Sequence, residues 1–282
     1  MKKRIVPGEL PISEMHQYMV GSVAPRPIAF VSTLNENGIP NLAPFSFFNV
    51  FSSNPPIVVF SANRRVSNNT TKDTLHNVRK TGECVINMVT HAIVRQASLA
   101  SVEYASGINE FEKSGLTMEL SETVKPPRVK ESPVNMECVV KQIIDLGDQN
   151  GAGHLIICEV KRMFIDESML DDGKIDPDRM DLMGRMGRAF YVRASGTAVT
   201  KIFQPFIATP IGFDHLPEHI VKSKILTGNE IAELAALNAI PLKEEVEIDP
   251  SVFEWDIEKR HQFASELLKA GKIKEAFVAV YY

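Results

Sequence analysis

The chain has only three cysteines in 282 residues, and no two of them form a CxxC pair. Cys84, Cys138 and Cys158 each lie in an apolar run, the habit of buried thiols in a reducing compartment. That spacing excludes a disulfide framework, a zinc knuckle and an iron–sulfur ligand set. The histidines show no HExxH spacing, so no metal site is expected. GxGxxG, GxxxxGK[ST] and GxSxG are all missing, which removes the motif evidence for a dinucleotide fold, a P-loop and a hydrolase elbow. Positive charge is not in excess: 31 Lys and Arg stand against 35 Asp and Glu, a net charge of −4. A general nucleic-acid partner is therefore not expected. Nor does any apolar run reach the length of a membrane span. The N-terminal KKR resembles the start of a signal peptide, but Pro7, Gly8, Glu9 and Pro11 interrupt the apolar stretch that should follow. The expectation is a cytoplasmic protein with no membrane partner.

What is present is a series of β-rich runs joined by turn signals. IAFVSTL (28–34) is followed by Asn-Glu-Asn-Gly, a hairpin turn. In 39–52, Pro40 and Pro44 forbid a central strand and leave an irregular or edge strand. Strands are expected at 57–61, 83–89, 136–148 and 154–166, the last two as a hairpin closed by a Gly-rich turn. Short helices are expected at KDTLHNVRKTG, 91–101 and NEFEKSG, the first and last ending on Gly82 and Gly115. The segment 171–195 reads as mostly loop, with a last strand at 189–193. Strict βαβ alternation is missing, so an antiparallel barrel with helical insertions is the simplest architecture.

After Thr197 the composition turns helical, with Leu234/Leu237 and Phe263/Leu267/Leu268 on apolar faces. The expected domains are 1–199, a barrel, and 200–282, a helical extension punctuated by Pro205, Pro210, Pro217, Pro241 and Pro250. Its last helical hairpin resembles one repeat unit, which cannot bury both faces alone. It is expected to pack on the barrel or on a partner subunit.

Four places can carry chemistry. Arg64, Arg65 and Lys72, with Ser67, Thr70, Thr71 and Thr74, precede a helix start that suits a phosphate. The same residues serve equally as a solvated, capped loop. Phe45, Phe47, Phe48 and Phe51, with Ser46, Asn49, Ser52 and Ser53, offer the apolar-plus-polar wall that a flat heteroaromatic ring needs, or else simply a core strand. Arg26, between Pro25 and Pro27, is a pre-set cation or a surface strand start. His154 opens a strand, where it either contacts a ligand or is merely hydrogen-bonded.

Taken in order, APRPIAFVSTLNENGIPNLAPFSFFNVFSSNPPIVVFSAN, KDTLHNV and ECVINMV resemble the flavin reductase-like family of FMN-binding split barrels. GHLIICEV and MGRAFYVRAS extend the resemblance over roughly residues 15–197. The resemblance implies a mainly β (α+β) fold, an antiparallel Greek-key split barrel, here with helical insertions and a helical C-terminal extension. It implies FMN as cofactor, NADH or NADPH as co-substrate, and a homodimer with flavin at the interface. It places Arg26, Val31, Ser32 and Thr33 on the strand lining the flavin. Ser46, Phe47, Phe48 and Asn49 fall beside the ring. Ser61, Arg64, Lys72 and Thr74 fall at the ribityl chain and phosphate, and His154 near flavin or nicotinamide. No residue of the chain is expected to be catalytic, since the flavin does the chemistry. The implied activity is hydride transfer from NAD(P)H to flavin. A flavoredoxin-type carrier serving a protein electron acceptor, or a non-catalytic flavin module with a partner-docking tail, are the alternatives. The family often has an acidic residue before the histidine, where this chain has Gly153.

Overall fold

The computed structural model describes residues 1–202 and 209–282. Pro205 lies outside the described residues. The chain divides into two compact units, Met1–Val199 and Thr200–Tyr282.

In the first unit a helix α1 (Ile12–Ser22) precedes β1 (Ala29–Leu34), β2 (Pro40–Phe45), β3 (Phe48–Ser53) and β4 (Pro56–Ser61). Then come α2 (Asp73–Thr81), β5 (Glu83–Met88), α3 (Val94–Leu99) and α4 (Glu110–Ser114). A two-residue pair, β6 (Met118–Glu119) and β7 (Arg128–Val129), leads to the long hairpin β8 (Val134–Asp145) and β9 (His154–Ile165). The sheet order is β2-β1-β5-β8-β9-β4-β3, with every pairing antiparallel.

That order forces the sheet to curl. β2 and β3 are its opposite edges, yet only Ser46 and Phe47 separate them in sequence. Six strand spacings on a flat sheet would put the edges about 29 Å apart. The three Cα steps from Phe45 to Phe48 reach at most about 11 Å. The edges must therefore meet at one end while Pro40 and Pro44 keep β2 from pairing further. This is the split barrel. The break that the prolines announce in 39–52 is real, and both resulting strands are edge strands.

β1 shows why its sequence does not alternate. Ala29 and Val31 face the barrel interior with Phe60, Ile86 and Ile156, whereas Ile28 and Phe30 face a second cluster with Ile93, Ala97 and Phe111. Strands buried on both faces read as continuous apolar runs. Leu75 and Val78 of α2 join the interior cluster and Gly82, at φ 69°, ends the helix. The three cysteines also meet there, Cys84 Sγ 3.8 Å from Cys158 Sγ and Cys84 opposite Cys138 across β5 and β8.

One expectation fails. Residues 171–195 are not mostly loop. β10 (Leu170–Asp171) and β11 (Lys174–Ile175) pair, α5 (Pro177–Met180) follows, and β12 (Leu182–Gly187) pairs with β13 (Phe190–Ala194). The glycines that made 184–187 read as loop are there for closeness. A Cβ on Gly184 would sit 3.0 Å from Pro25, and one on Gly187, at φ 108°, 3.2 Å from the Val20 carbonyl. Helix α1 also went unread in the sequence.

The second unit holds α6 (Glu218–Val221), α7 (Gly228–Ala235), α8 (Ile257–Lys269) and α9 (Ile273–Tyr281). Thr227 and Glu230 close a capping box at the start of α7. Ile220, Leu234, Ala264, Leu268, Phe277 and Val280 form a core of the unit's own. The α8–α9 hairpin thus finds among residues 211–281 the apolar cover that was expected on the barrel or a second subunit. No described helix is long and apolar enough to cross a membrane.

Candidate functional site

The Ser46–Phe47 join between the sheet edges is one wall of a cavity of about 320 Å³. Phe45, Ser46 and Phe47 form that wall, and Ser61 and Asn63 close it beyond the end of β4. Ser61 N donates to the Phe47 carbonyl at 2.8 Å, and Ser61 Oγ donates to Asn63 Oδ1 at 2.8 Å, so the join and the post-β4 loop are held together. His16, Gln17 and Val20 of α1 face it from another side.

Four basic side chains line this cavity, namely Arg26, Lys72, Arg185 and Arg188, and among the described residues no carboxylate does. Among the described residues none of the four is in an ion pair, although the chain as a whole is acidic. Aromatic rings orient them instead. Lys72 Nζ is 4.6 Å from the centre of the Phe45 ring and Arg26 Cζ 5.9 Å from that of Phe47. Arg185 lies 4.6 Å over Tyr191 and Arg188 5.6 Å over Phe190. Such contacts hold a cation without neutralising it. Burial, then the nearby Arg65, pulls the Lys72 ammonium below its ordinary pKa, against Glu103. Burial and then Arg185 do the same to Arg26.

Arg26 is 7% exposed. Its guanidinium donates to the Val20 carbonyl and, at 2.6 Å, to that of Val23, and its Nε is buried without a partner. It therefore also caps the carbonyl end of α1, which sets His16 and Gln17 against the cavity. Its backbone exchanges hydrogen bonds with Arg185 at 3.0 and 2.9 Å, so the β12–β13 hairpin is fastened to the same point.

The structure brings together six of the residues singled out in the sequence: Arg26, Phe45, Ser46, Phe47, Ser61 and Lys72. The others lie elsewhere. Val31 is in the barrel interior and Ser32 Oγ donates to the Pro127 carbonyl. Thr33 and Thr74 belong to a buried network. Thr74 Oγ1 donates to Asn41 Oδ1 at 2.8 Å, Asn77 to Thr33 Oγ1 at 3.0 Å, and Asn41 to Glu110 Oε2 at 2.9 Å. Phe48 packs on the barrel interior, and Asn49 is exposed and accepts from the Val50 amide. Phe51 is 68% exposed and makes no part of the wall. Arg64 folds its own loop, donating to Asn69 Oδ1 and O at 2.7 and 2.8 Å, while Arg65 pairs with Glu103.

His154 is 3% exposed and shares the inward face of β9 with Ile156 and Cys158. Its Nδ1 donates to Asp145 Oδ1 at 2.7 Å, and its Nε2 is buried without a partner. That hydrogen bond first, and Arg79 after it, holds the Asp145 carboxyl below the usual range. The Gly153 departure has a steric cause: a Cβ there would sit 2.8 Å from Ser61 Oγ. An acidic side chain at that position would displace a cavity residue.

Sequence reading missed His16, Gln17, Asn63, Arg185 and Arg188. The signal for the last two was the GRMGR spacing, two arginines each behind a glycine.

Comparison with known proteins fits this geometry. The model of the flavin reductase like domain matches residues 20–179. An uncharacterized protein of Aquifex aeolicus (strain VF5) is 38% identical over 189 residues, 67% of this chain and 94% of that one. Nitrilotriacetate monooxygenase component B from Bacillus cereus superposes with a TM-score of 0.66 at 29% identity, covering 72% of this chain and 98% of its own. Pseudomonas fluorescens 2-nitrobenzoate 2-nitroreductase does so at 0.65 and 29%, covering 74% and 100%.

Proposed function

This chain belongs to the flavin reductase-like family, and from that premise we propose that it holds FMN in the cavity between Arg26 and Lys72 and acts as an NAD(P)H:flavin oxidoreductase. The observation that carries the reading is the pair Arg26 and Lys72, each without an ion-pair partner and each beside a ring of the Phe45–Phe47 wall, with no carboxylate among the described residues that line the cavity. A ligand with an anionic tail and a flat conjugated ring matches both features. Bound there, FMN supplies the capacity to accept hydride from a reduced nicotinamide.

The chain's own residues bind and orient. Lys72, which precedes α2, would hold the phosphate, with the helix's free N–H groups beside it. Ser61 and Asn63 add hydrogen-bonding groups to the cavity, and Phe45 and Phe47 give the ring an apolar surface. Arg26 fixes α1 and adds positive field to the cavity, which would stabilise negative charge on a bound ligand. No nucleophile or general base of the protein is needed.

We also infer that the working form is a homodimer. β3 is an edge strand with Val50 63% and Phe51 68% exposed, a pairing-competent edge with an apolar surface. Light scattering at two concentrations tests this, and a monomer at both would overturn it.

The test of function is a visible spectrum of the purified chain, repeated after anaerobic NADH or NADPH. A flavin band that bleaches supports the reading. A band that persists leaves a carrier or binding module, and no band after soaking with FMN removes the cofactor.

A further inference from the structure

The cations of the cavity fall into two groups. Lys72 immediately precedes α2 and lies over the Phe45 ring, whereas Arg185 and Arg188 belong to the β12–β13 hairpin, joined through the Arg185 backbone to Arg26. A flavin mononucleotide carries one phosphate, and one of the two groups is enough to hold it.

The second group is built, not incidental. Gly184 and Gly187 let the hairpin lie against Pro25 and the Val20 carbonyl, where a Cβ would be crowded at 3.0 and 3.2 Å, and Gly187 does so at φ 108°. Arg188 occupies a left-handed turn position at φ 49°, a conformation costly for arginine. Tyr191 and Phe190 orient the two guanidinium groups from the same hairpin. Among the described residues neither side chain has a hydrogen-bonding partner or a carboxylate, so their planar donor forks remain available. Beside them Arg26 is more than nine-tenths buried, lines the same cavity and keeps an unpartnered Nε. The Arg26 and Arg185 charges lie close enough to repel, Arg188 lines the same cavity, and an anion bound there relieves the repulsion. The hairpin also lies beyond residue 179, where the family match ends.

We propose that Arg185 and Arg188 form a second anion subsite, distinct from the flavin phosphate site, which selects a phosphate- or carboxylate-bearing partner for electron exchange with the flavin. This rests on the reading of the cavity as a flavin site. Two sources carry such an anion: the phosphate groups of the nicotinamide donor, and an anionic electron acceptor.

The experiment uses the full chain and its Arg185→Gln/Arg188→Gln double variant. FMN affinity is measured by fluorescence titration. Inorganic pyrophosphate is then titrated calorimetrically into the FMN-loaded protein. Loss of two charge-assisted contacts is expected to weaken pyrophosphate by about tenfold or more, with FMN affinity held within about twofold. The Arg185→Lys/Arg188→Lys variant keeps the charge and should recover part of the loss, which separates charge from misfolding. KM then assigns the source. A rise for NADPH or NADH points to the donor, and a rise for ferricyanide with none for an uncharged quinone points to the acceptor. Pyrophosphate affinity equal in wild type and variant overturns the subsite. A tenfold loss of FMN affinity overturns its independence from the flavin phosphate. Should the wild type take up no FMN, the flavin reading fails on its own, and the pyrophosphate titration on the bare chain still decides the subsite.

Discussion

Basic side chains are handled differently in the two units. In the helical unit the fold uses them. Arg260 Nε donates to the Ala279 carbonyl at 2.7 Å and His219 Nε2 to the Val280 carbonyl at 3.0 Å, both at the carbonyl end of α9. His261 is hydrogen-bonded to Ser223 at 2.8 Å and stacks on His219 with ring centres 5.7 Å apart. The Arg260 guanidinium there meets the negative end of the helix dipole. In the barrel unit Lys72, Arg185 and Arg188 meet rings instead, and their donors face a cavity. Arg26 does both, closing the end of α1 while lining the cavity. The difference teaches that a cation signals a ligand where it lines a cavity and the fold leaves it a donor without a partner, as it leaves the Arg26 Nε.

The sharpest way to break that comparison is to unfold one side of it. Phe277 is fully buried in the core of the helical unit. Phe277→Ala should cost about 3–5 kcal/mol, the usual toll of a large aromatic cavity. Urea denaturation followed by far-ultraviolet circular dichroism reads it, and a loss under about 1 kcal/mol would mean that this core collapses easily. Removing a cavity cation should do the opposite: leave folding alone and weaken the ligand. Lys72→Ala is expected to reduce FMN affinity by one to two orders of magnitude, on the order of 1.5–3 kcal/mol for a charge-assisted contact. The melting temperature of the ligand-free protein should not fall, because no folded-state hydrogen bond of Lys72 is lost. Unchanged FMN affinity would remove Lys72 from the phosphate site.

The same distinction explains what could be read in advance. The barrel's strands and its prolines at the split were legible because periodicity, Asn-Gly and Pro act locally. Arg26, Ser46, Phe47, Ser61 and Lys72 were legible because they sit in motifs of fixed order. Thr33 and Thr74 reveal the limit. Thr33 was expected on the strand lining the flavin and Thr74 at the phosphate loop, but Asn77 on α2 and Asn41 on β2 reach them across the fold. Arg185 and Arg188 were hidden for the converse reason. Two glycines that serve close packing on Pro25 and Val20 read as loop, and only the three-dimensional approach reveals a hairpin.

The helical unit's histidines give a pH test. Burial first, then His219 and Arg260, pulls the His261 imidazole below its ordinary pKa of 6.5. A base whose folded pKa is depressed stabilises the fold fully above its unfolded value. That stability is lost as the pH falls below about 6.5. Amide exchange in α8 should therefore quicken, relative to its intrinsic rate, between pH 7.5 and 5.5. His261→Asn, which preserves a partner for Ser223, should flatten the dependence. Equal pH dependence in the two proteins would show that another group is responsible.

The smallest expected effect comes from a satisfied pair in the barrel unit. Arg79 NH2 lies 2.6 Å from Asp145 Oδ1, and both side chains are substantially exposed. Exposed pairs are worth about 0.2–1 kcal/mol. Arg79→Ala should cost no more than that at pH 7, and less in high salt, which screens the pair. Asp145 keeps most of its hold, because His154 is the larger cause of its lowered pKa. With the folded pKa depressed, the carboxylate's contribution is present above the usual aspartate range and disappears as the pH falls through the folded value. The difference between wild type and Arg79→Ala should thus vanish once Asp145 is protonated. Urea melts at neutral and acid pH, each at low and high salt, decide it, and a loss well above 1 kcal/mol that ignores salt would show Arg79 acting through packing. Set beside Lys72, the expected contrast is that the cation with a carboxylate partner matters little to either folding or function, while the one without a partner matters to function alone.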